Sequence, residues 1–300
     1  MLDRVRKRVP APVEPVIEVG REMAAEWKAD RVSGLAAEVA FFAILAIFPG
    51  LLAFAAALGS IEPLIGASAA ESVREEVLGF LSGSMSLSED STTYEAFARL
   101  FEGSSPGLLT LGLLGALVTV SRGFAALIKA LDVAYDLEEH RTFARLRGLA
   151  VVLAIGSVLV GALVLVMFVV GPLIGAGESV AESVGVGSQF AFLWDWLRWP
   201  LATAVLMLWM ATIFHIAPNH HTPWRADLPG AVLTTVLVIG VSLGFQLYLT
   251  VAGSGNEVFG VLGSAITLLL WLYAQSIAVL VGGELNAILW LRSVEPKAED

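Results

Sequence analysis

Cysteine is absent from this 300-residue sequence, and charged residues are scarce at 15%. Without cysteine the chain has no disulfides, no thiolate nucleophile and no thiolate ligand for a metal. The formal net charge of -10 leaves no basic face for neutralising phosphates, so we expect no nucleic-acid partner. A hydrophobic fraction of 57% and a mean hydropathy of +0.78 also exclude an ordinary soluble domain, in which about 25% of residues are charged.

Charged residues are absent from six long runs of the sequence. These runs are 19 to 30 residues long and contain no Asp, Glu, Lys or Arg. A transmembrane helix needs roughly 20 predominantly apolar residues to cross the hydrocarbon core of a bilayer. The sequence therefore predicts an all-α integral membrane protein, one membrane domain over residues 1–300 with six transmembrane helices. The predicted spans are approximately 37–60, 106–128, 148–176, 199–217, 228–252 and 259–289.

Lysine and arginine are distributed unevenly between the connections. Fifteen of the 18 basic residues fall before the first span, in alternate loops and in the C-terminal tail. Because such residues concentrate on the cytoplasmic side of membrane proteins, we expect both termini in the cytoplasm, an N-in/C-in topology. Residues 62–105 then form an external connection and 129–147 a cytoplasmic loop. Arg141, Arg145 and Arg147 in that loop suit the anionic headgroups of the lipid bilayer.

Apolar residues recur at helical spacing in the cytoplasmic N-terminal segment 1–35, at Val16, Val19, Met23 and Trp27. This spacing predicts an amphipathic helix, and its position before a span favours a helix that lies in the membrane interface. The alternative is a gate or a helix that docks a partner.

Polar residues remain inside the last two predicted spans and fall on one face of each helix. Gln275 and Asn286 belong to this face in the sixth span, and Gln246 belongs to it in the fifth. Two such faces either line a water-filled path or hydrogen-bond each other across a dry seam. The sequence leaves both interpretations open.

Small and helix-breaking residues indicate where helices approach or bend. Gly240, Gly244 and Gly282 would allow close contact between helices, either within the bundle or between two copies in a homo-oligomer. Pro49 and Gly50 lie at the middle of the first span, where proline removes a backbone hydrogen bond. They predict either a packing kink or a broken helix of the kind around which transporters build their sites.

Three ionisable residues lie at the cytoplasmic edges of the spans: Glu38, Arg122 and Glu284. An acid within the membrane is a functional candidate by default. Glu284 could couple proton or solute movement, or it could form a structural ion pair with Arg122 or Arg225.

Catalytic or metal-binding groups are not clustered in the sequence. His215, His220 and His221 lie near the inner end of the fourth span, but a metal site would need more ligands in a rigid arrangement. No Gly-rich phosphate loop and no Ser/His/Asp set is recognisable. We expect no enzymatic activity, no cofactor and no metal.

Three stretches of the sequence resemble the YihY/BrkB family. They are the first span from Glu38 to Pro49, the stretch from Pro218 to Gly230, and the last span with Trp271 and Gly282-Gly-Glu284-Leu-Asn286-Ala. The resemblance implies a multi-pass protein of the bacterial plasma (inner) membrane with six helices, and it assigns no chemical role to these residues. An old label of this family is ribonuclease BN, but a nuclease needs clustered metal ligands or acid and base groups beside a basic groove.

Two functions follow as hypotheses. The first is a transport-type protein for a small solute or lipid-related molecule, with a path between the first, fifth and sixth spans. Gln246, Gln275 and Asn286 would offer hydrogen bonds along this path, and Glu38 or Glu284 a titratable charge. The second is a non-transporting envelope scaffold that binds lipids or partner proteins through the N-terminal helix and the cytoplasmic arginines.

Overall fold

A computed structural model describes residues 14–68, 70–75, 78, 106–138, 140–165, 167, 187–219, 223–252 and 260–294. Nearly all of these residues are helical, and no β-strand occurs among them, which confirms the predicted all-α class. The principal helices are α1 (Glu14–Ala29), α2 (Val32–Ile65), α3 (Pro106–Ala134), α4 (Phe143–Leu165), α5 (Gly187–Ile216), α6 (Leu228–Ala252) and α7 (Gly260–Val294). A 3-10 turn, Trp224–Ala226, precedes α6.

Six of the helices, α2 to α7, each contain an apolar stretch of 21 to 28 residues. Such a stretch is long enough to cross the hydrocarbon core as a helix, in which all interior backbone groups are hydrogen-bonded within the segment. The predicted number of six spans is confirmed, and the chain is a multi-pass membrane protein. The N-in/C-in orientation stays a prediction.

The predicted amphipathic helix is α1, and it folds back against the last helix. Arg292 of α7 donates two hydrogen bonds to the Glu22 carboxylate, from Nε at 3.0 Å and from Nη2 at 2.6 Å. A two-residue turn joins α1 to α2, and Arg31 in this turn has a positive φ of 53°. The helix therefore packs on the protein, and its position in the membrane interface stays a prediction.

Helix α2 continues through Pro49 and Gly50 without interruption. The proline ring packs against α3 at Gly115, where an added Cβ would lie 3.3 Å from that of Pro49. One turn away, an added Cβ on Gly112 would come within 2.8 Å of the Ala53 backbone nitrogen. Small residues on α3 thus receive the proline-containing face of α2, so the first span is a packed helix rather than a broken one.

The main hydrophobic core lies at one end of the bundle, the end at which α1 meets the last turns of α7. We call this the termini end. Each of α2 to α7 contributes residues from the half nearest α1. The members include Val32, Ala36, Leu127, Ile128, Leu131, Leu146, Ala150, Leu153, Ala211, Phe214, Ala231 and Leu280. Toward the opposite end the buried side chains of α2 form a smaller cluster with Ala70 and Val73.

Several predictions fall outside the described residues. Most of the connection 62–105 belongs to this group, as do His220 and His221.

Candidate functional site

Helices α6 and α7 make a close backbone contact at the termini end. A Cβ added to Gly230 would overlap the carbonyl oxygen of Gly282 and the side-chain amide of Asn286. Asn286 is 1% exposed; its Oδ1 accepts the Gly230 N–H at 2.6 Å, and its Nδ2 donates to the Asp227 carbonyl at 3.0 Å. The amide thereby satisfies the Gly230 N–H, a first-turn donor that has no partner within the helix. The Asp227 carbonyl accepts from the Ala231 N–H as well as from Asn286.

Gln275 links the same two helices nearer the middle of the bundle. Its Nε2 donates to Ser242 Oγ at 2.8 Å and to the Val238 carbonyl at 3.4 Å. Its Oε1 is buried and has no hydrogen-bond partner among the described residues. At this level the two polar faces are hydrogen-bonded directly, which favours the seam interpretation of the sequence pattern over an open path.

Exposure of the polar stripe on α6 increases toward the opposite end of the bundle. Along one stripe of α6, Thr235 is 6% exposed, Ser242 is half-buried and Gln246 is exposed. An added Cβ at Gly240 or Gly244 would meet no atom within 4 Å. These two glycines therefore do not provide the internal close contact that the sequence allowed for them, whereas Gly282 does.

Asp227 is fully buried at the start of α6 and pairs with a histidine. His215 Nδ1 of α5 lies 3.0 Å from Asp227 Oδ2. The carboxylate accepts a hydrogen bond when that nitrogen is protonated. This contact ties the end of α5 to the start of α6, and it gives His215 a structural partner.

A second buried acid, Asp132, fixes the end of α3. Arg141 Nη2 lies 3.3 Å from Asp132 Oδ1 and donates to the Ala217 carbonyl at 2.7 Å. The Asn219 backbone N–H donates to the same Asp132 oxygen at 2.7 Å. Arg141 was expected to face lipid headgroups, but its side chain instead clamps α3 to the segment that follows α5.

Glu284 lies on the face of α7 opposite Gln275 and is 3% exposed. The carboxyl group of Asp30, at the end of α1, faces it. Burial, followed by the charge of Asp136, raises the pKa of the Asp30 carboxyl above its ordinary value.

Tyr135 lies beside the Glu284–Asp30 pair and faces Asn286. Burial, followed by the charge of Asp227, raises the pKa of the Tyr135 hydroxyl. The arrangement can hold a proton or a cation.

The other ionisable residues selected from the sequence lie apart from this group. Glu38 and Arg122 are exposed on α2 and α3, and Arg225 is exposed beside α6. The charged groups that act on Glu284 are all acids on α1 and after α3. The structure therefore does not bring Glu284 together with a basic partner among the described residues.

Sequence reasoning did not select Asp30, Tyr135, Asp132 or Asp227 as site residues. Asp132 and Asp227 had a detectable signal, since each is an acid bordered by apolar helix sequence. No local signal identifies Asp30, because its role depends on α1 folding back onto α7.

No group of three or more His, Cys, Asp or Glu side chains in the described part of the chain is arranged to hold a metal ion. Single carboxylates such as Glu284 can still attract a monovalent cation or an ammonium group. The chemistry available at the site is therefore hydrogen bonding along the seam and charge compensation at Glu284.

Comparisons with known proteins agree with this architecture. The profile of a family described as virulence factor BrkB matches residues 23–300. The ribonuclease-like protein YfkH of Bacillus subtilis (strain 168) is 31% identical over 260 residues, which are 87% of this chain and 90% of that protein. UPF0761 membrane proteins of Xanthomonas oryzae pv. oryzae (strain PXO99A) and Xanthomonas campestris pv. campestris (strain B100) are 32% identical over 108 residues, which cover 35% of this chain and 25% of each relative. No solved structure matches.

Proposed function

This chain belongs to the BrkB virulence factor family, and from that premise we propose that it is a transport-type membrane protein. It moves a small solute or lipid-related molecule across, or partway across, the membrane. The path lies between α2, α6 and α7, with Gln246 and Gln275 as hydrogen-bonding groups. Glu38, exposed on α2, is a titratable group at its edge.

The observation that carries this proposal is the graded exposure of one polar stripe. Thr235, Ser242 and Gln246 are seven and four residues apart, so they share one face of α6. This face contacts α7 at Ser242 through Gln275, yet it is exposed one turn further along, at Gln246. Because an amide side chain in hydrocarbon is costly, the exposed glutamine favours a water-filled cleft between the two helices.

Closure at the termini end supports the same function. Gly230, Gly282 and Asn286 form a tight contact there, backed by the main hydrophobic core. A cleft open at one end and closed at the other is one state of an alternating-access cycle, in which helices rock about a site near the midplane. With the predicted topology, the open end faces the outside.

The reactivity of introduced thiols tests the cleft. Because the sequence contains no cysteine, the introduced cysteine is the only thiol in each single-cysteine variant. We expect Ser242→Cys and Gln246→Cys to react with a charged, membrane-impermeant thiosulfonate on the order of tenfold faster than Leu243→Cys, because a thiol must ionise in water to react. Leu243 is the matched control, since it lies beside Ser242 and is 60% exposed on an apolar face of α6. Equal, slow labelling of all three cysteines would refute the cleft.

The scaffold hypothesis needs a different test from the one that the sequence suggests. Loss of function in Arg141→Ala is not diagnostic, because Arg141 holds the buried Asp132 carboxylate. Arg145 is exposed, so Arg145→Ala removes a lipid-facing charge without removing that pair. If Arg145→Ala loses the function of the protein in cells while Gln275→Leu keeps it, the result would favour the scaffold over transport.

The proposal includes no enzymatic step, although the name of YfkH contains the term ribonuclease-like. The described residues offer no cluster of His, Cys, Asp or Glu side chains that could hold a metal ion for metal-assisted hydrolysis of RNA. Incubation of purified protein with RNA and divalent metal is the check. Cleavage that co-purifies with the protein would overturn this part of the proposal.

A further inference from the structure

A second site, which contains a cavity, lies on the face of α7 opposite the seam. Helix α1 packs against α7 at this site. A cavity of about 410 Å³ separates the two helices. It is lined by Met23, Ala24 and Trp27 of α1 and by Val281 and Glu284 of α7. Pockets of roughly 300–1,000 Å³ accommodate small organic ligands, so this cavity is large enough for more than bound water.

Glu284 supplies the charge of this cavity. Its side chain is 97% buried, and its Oε2 has no hydrogen-bond partner among the described residues. An ionised Glu284 beside the Asp30 carboxyl has no basic partner among the described residues, so keeping its charge buried has a free-energy cost. A ligand that donates to Oε2 would remove this cost.

The electrostatic surroundings select a cation. Asp30 and Glu26 of α1 and Asp136 after α3 all add negative potential at Glu284. The basic groups of the same region are directed elsewhere: Lys28 and Arg31 line a separate cavity on the other side of Trp27. Arg292 is paired with Glu22.

The remaining walls select an organic cation over a metal ion. Hard metal cations prefer six or more oxygen ligands, whereas Glu284 is the only side chain among the lining residues that offers oxygen atoms. Trp27 presents an indole, which attracts ammonium groups through its face, and Met23 and Val281 offer apolar surface to a hydrocarbon chain.

We propose that the cavity between α1 and α7 binds a primary ammonium group carried on an apolar chain. Glu284 is its counter-ion, and Trp27 and Met23 enclose the part next to the nitrogen. A soluble alkylamine and the headgroup of an aminophospholipid share this chemistry. The site lies on the opposite face of α7 from the seam, so it does not depend on the proposed transport path.

Binding of n-hexylamine to the full-length protein tests the site, with the protein in phosphatidylcholine nanodiscs and calorimetry at pH 7. We expect saturable binding with one site per chain, and binding of uncharged n-hexanol on the order of tenfold weaker, because the charge-assisted hydrogen bond is lost. Glu284→Gln should weaken hexylamine binding by a similar factor. Glu138→Gln, an exposed acid at the same end of the bundle, should leave it unchanged.

The outcomes separate binding from folding and identify the source of the amine. Trp27→Leu keeps Glu284 and should also weaken hexylamine binding. A thermal unfolding midpoint equal to that of the wild type shows that a variant, Glu284→Gln or Trp27→Leu, is folded. If phosphatidylethanolamine nanodiscs abolish hexylamine binding, the lipid headgroup occupies the site; equal binding in both discs indicates a soluble amine. Equal affinity for hexanol and hexylamine, or binding unaffected by Glu284→Gln, would overturn the proposal, and the thiol-labelling result would stand independently.

Discussion

Glycine has opposite surroundings at two positions of α6. Gly230 is buried against the Gly282 carbonyl and the Asn286 amide, whereas Gly240 faces open space. A Cβ at the first position would force the two helices apart and break the Gly230–Asn286 hydrogen bond. At the second position it would only reduce the backbone freedom of the unfolded chain.

Substitution by alanine should therefore have opposite effects at the two sites. We expect Gly230→Ala to destabilise the protein by about 1–3 kcal/mol, the usual cost of overpacking. Gly240→Ala should be neutral or stabilising by up to about 1 kcal/mol, because glycine is unfavourable inside a helix. Equilibrium unfolding in mixed micelles measures both. A tolerated Gly230→Ala would show that α6 and α7 do not touch there.

At the scale of elements, the connection between α3 and α4 determines how three helices meet. Arg141 in this connection holds Asp132 of α3 and the carbonyl of Ala217 after α5. The pair is largely removed from solvent, with Arg141 at 13% and Asp132 at 3% side-chain exposure. Loss of one partner of such a pair leaves a buried charge, which costs more than the pair itself contributes.

Arg141→Ala should lower the free energy of unfolding by about 3 kcal/mol for this reason. In a double variant, adding Asp132→Asn to Arg141→Ala should recover part of the lost free energy of unfolding, because the uncompensated charge is then gone. Arg145→Ala, an exposed arginine one turn away, should change stability by less than about 0.5 kcal/mol. Chemical denaturation of the three variants provides the measurement, and equal effects of Arg141→Ala and Arg145→Ala would contradict the clamp.

At the scale of the whole molecule, packing is asymmetric along the membrane normal. The main core, the Asn286 contact and the Arg141 clamp all lie at the termini end, while polar Gln246 is exposed toward the other end. The side of the membrane to which the proposed cleft opens therefore depends on the orientation of the bundle. The distribution of lysine and arginine predicts that the termini end lies in the cytoplasm.

Labelling of single cysteines in intact cells checks this orientation. Glu138 is exposed at the termini end, and Glu62 is exposed near the opposite end of α2. We expect an impermeant maleimide to label Glu62→Cys in intact cells and Glu138→Cys only after lysis. The reverse pattern would invert the topology, and the proposed cleft would then open to the cytoplasm.

The sequence by itself determined the class of protein, the number of spans and the amphipathic character of α1. These properties are local: a bilayer excludes charge from each span separately, and helical periodicity places side chains on one face. The polar stripe of Ser242 and Gln275 was identified in the same way.

Only the tertiary structure decided what each face meets. Periodicity does not say which helix lies opposite, so Arg141 was interpreted as lipid-facing although it holds Asp132. The ion pair considered for Glu284 involved Arg122 or Arg225, whereas the fold places Asp30 beside it because α1 turns back at Arg31. Contacts between residues far apart in sequence follow from the packing of whole helices, and no single segment of the chain encodes them.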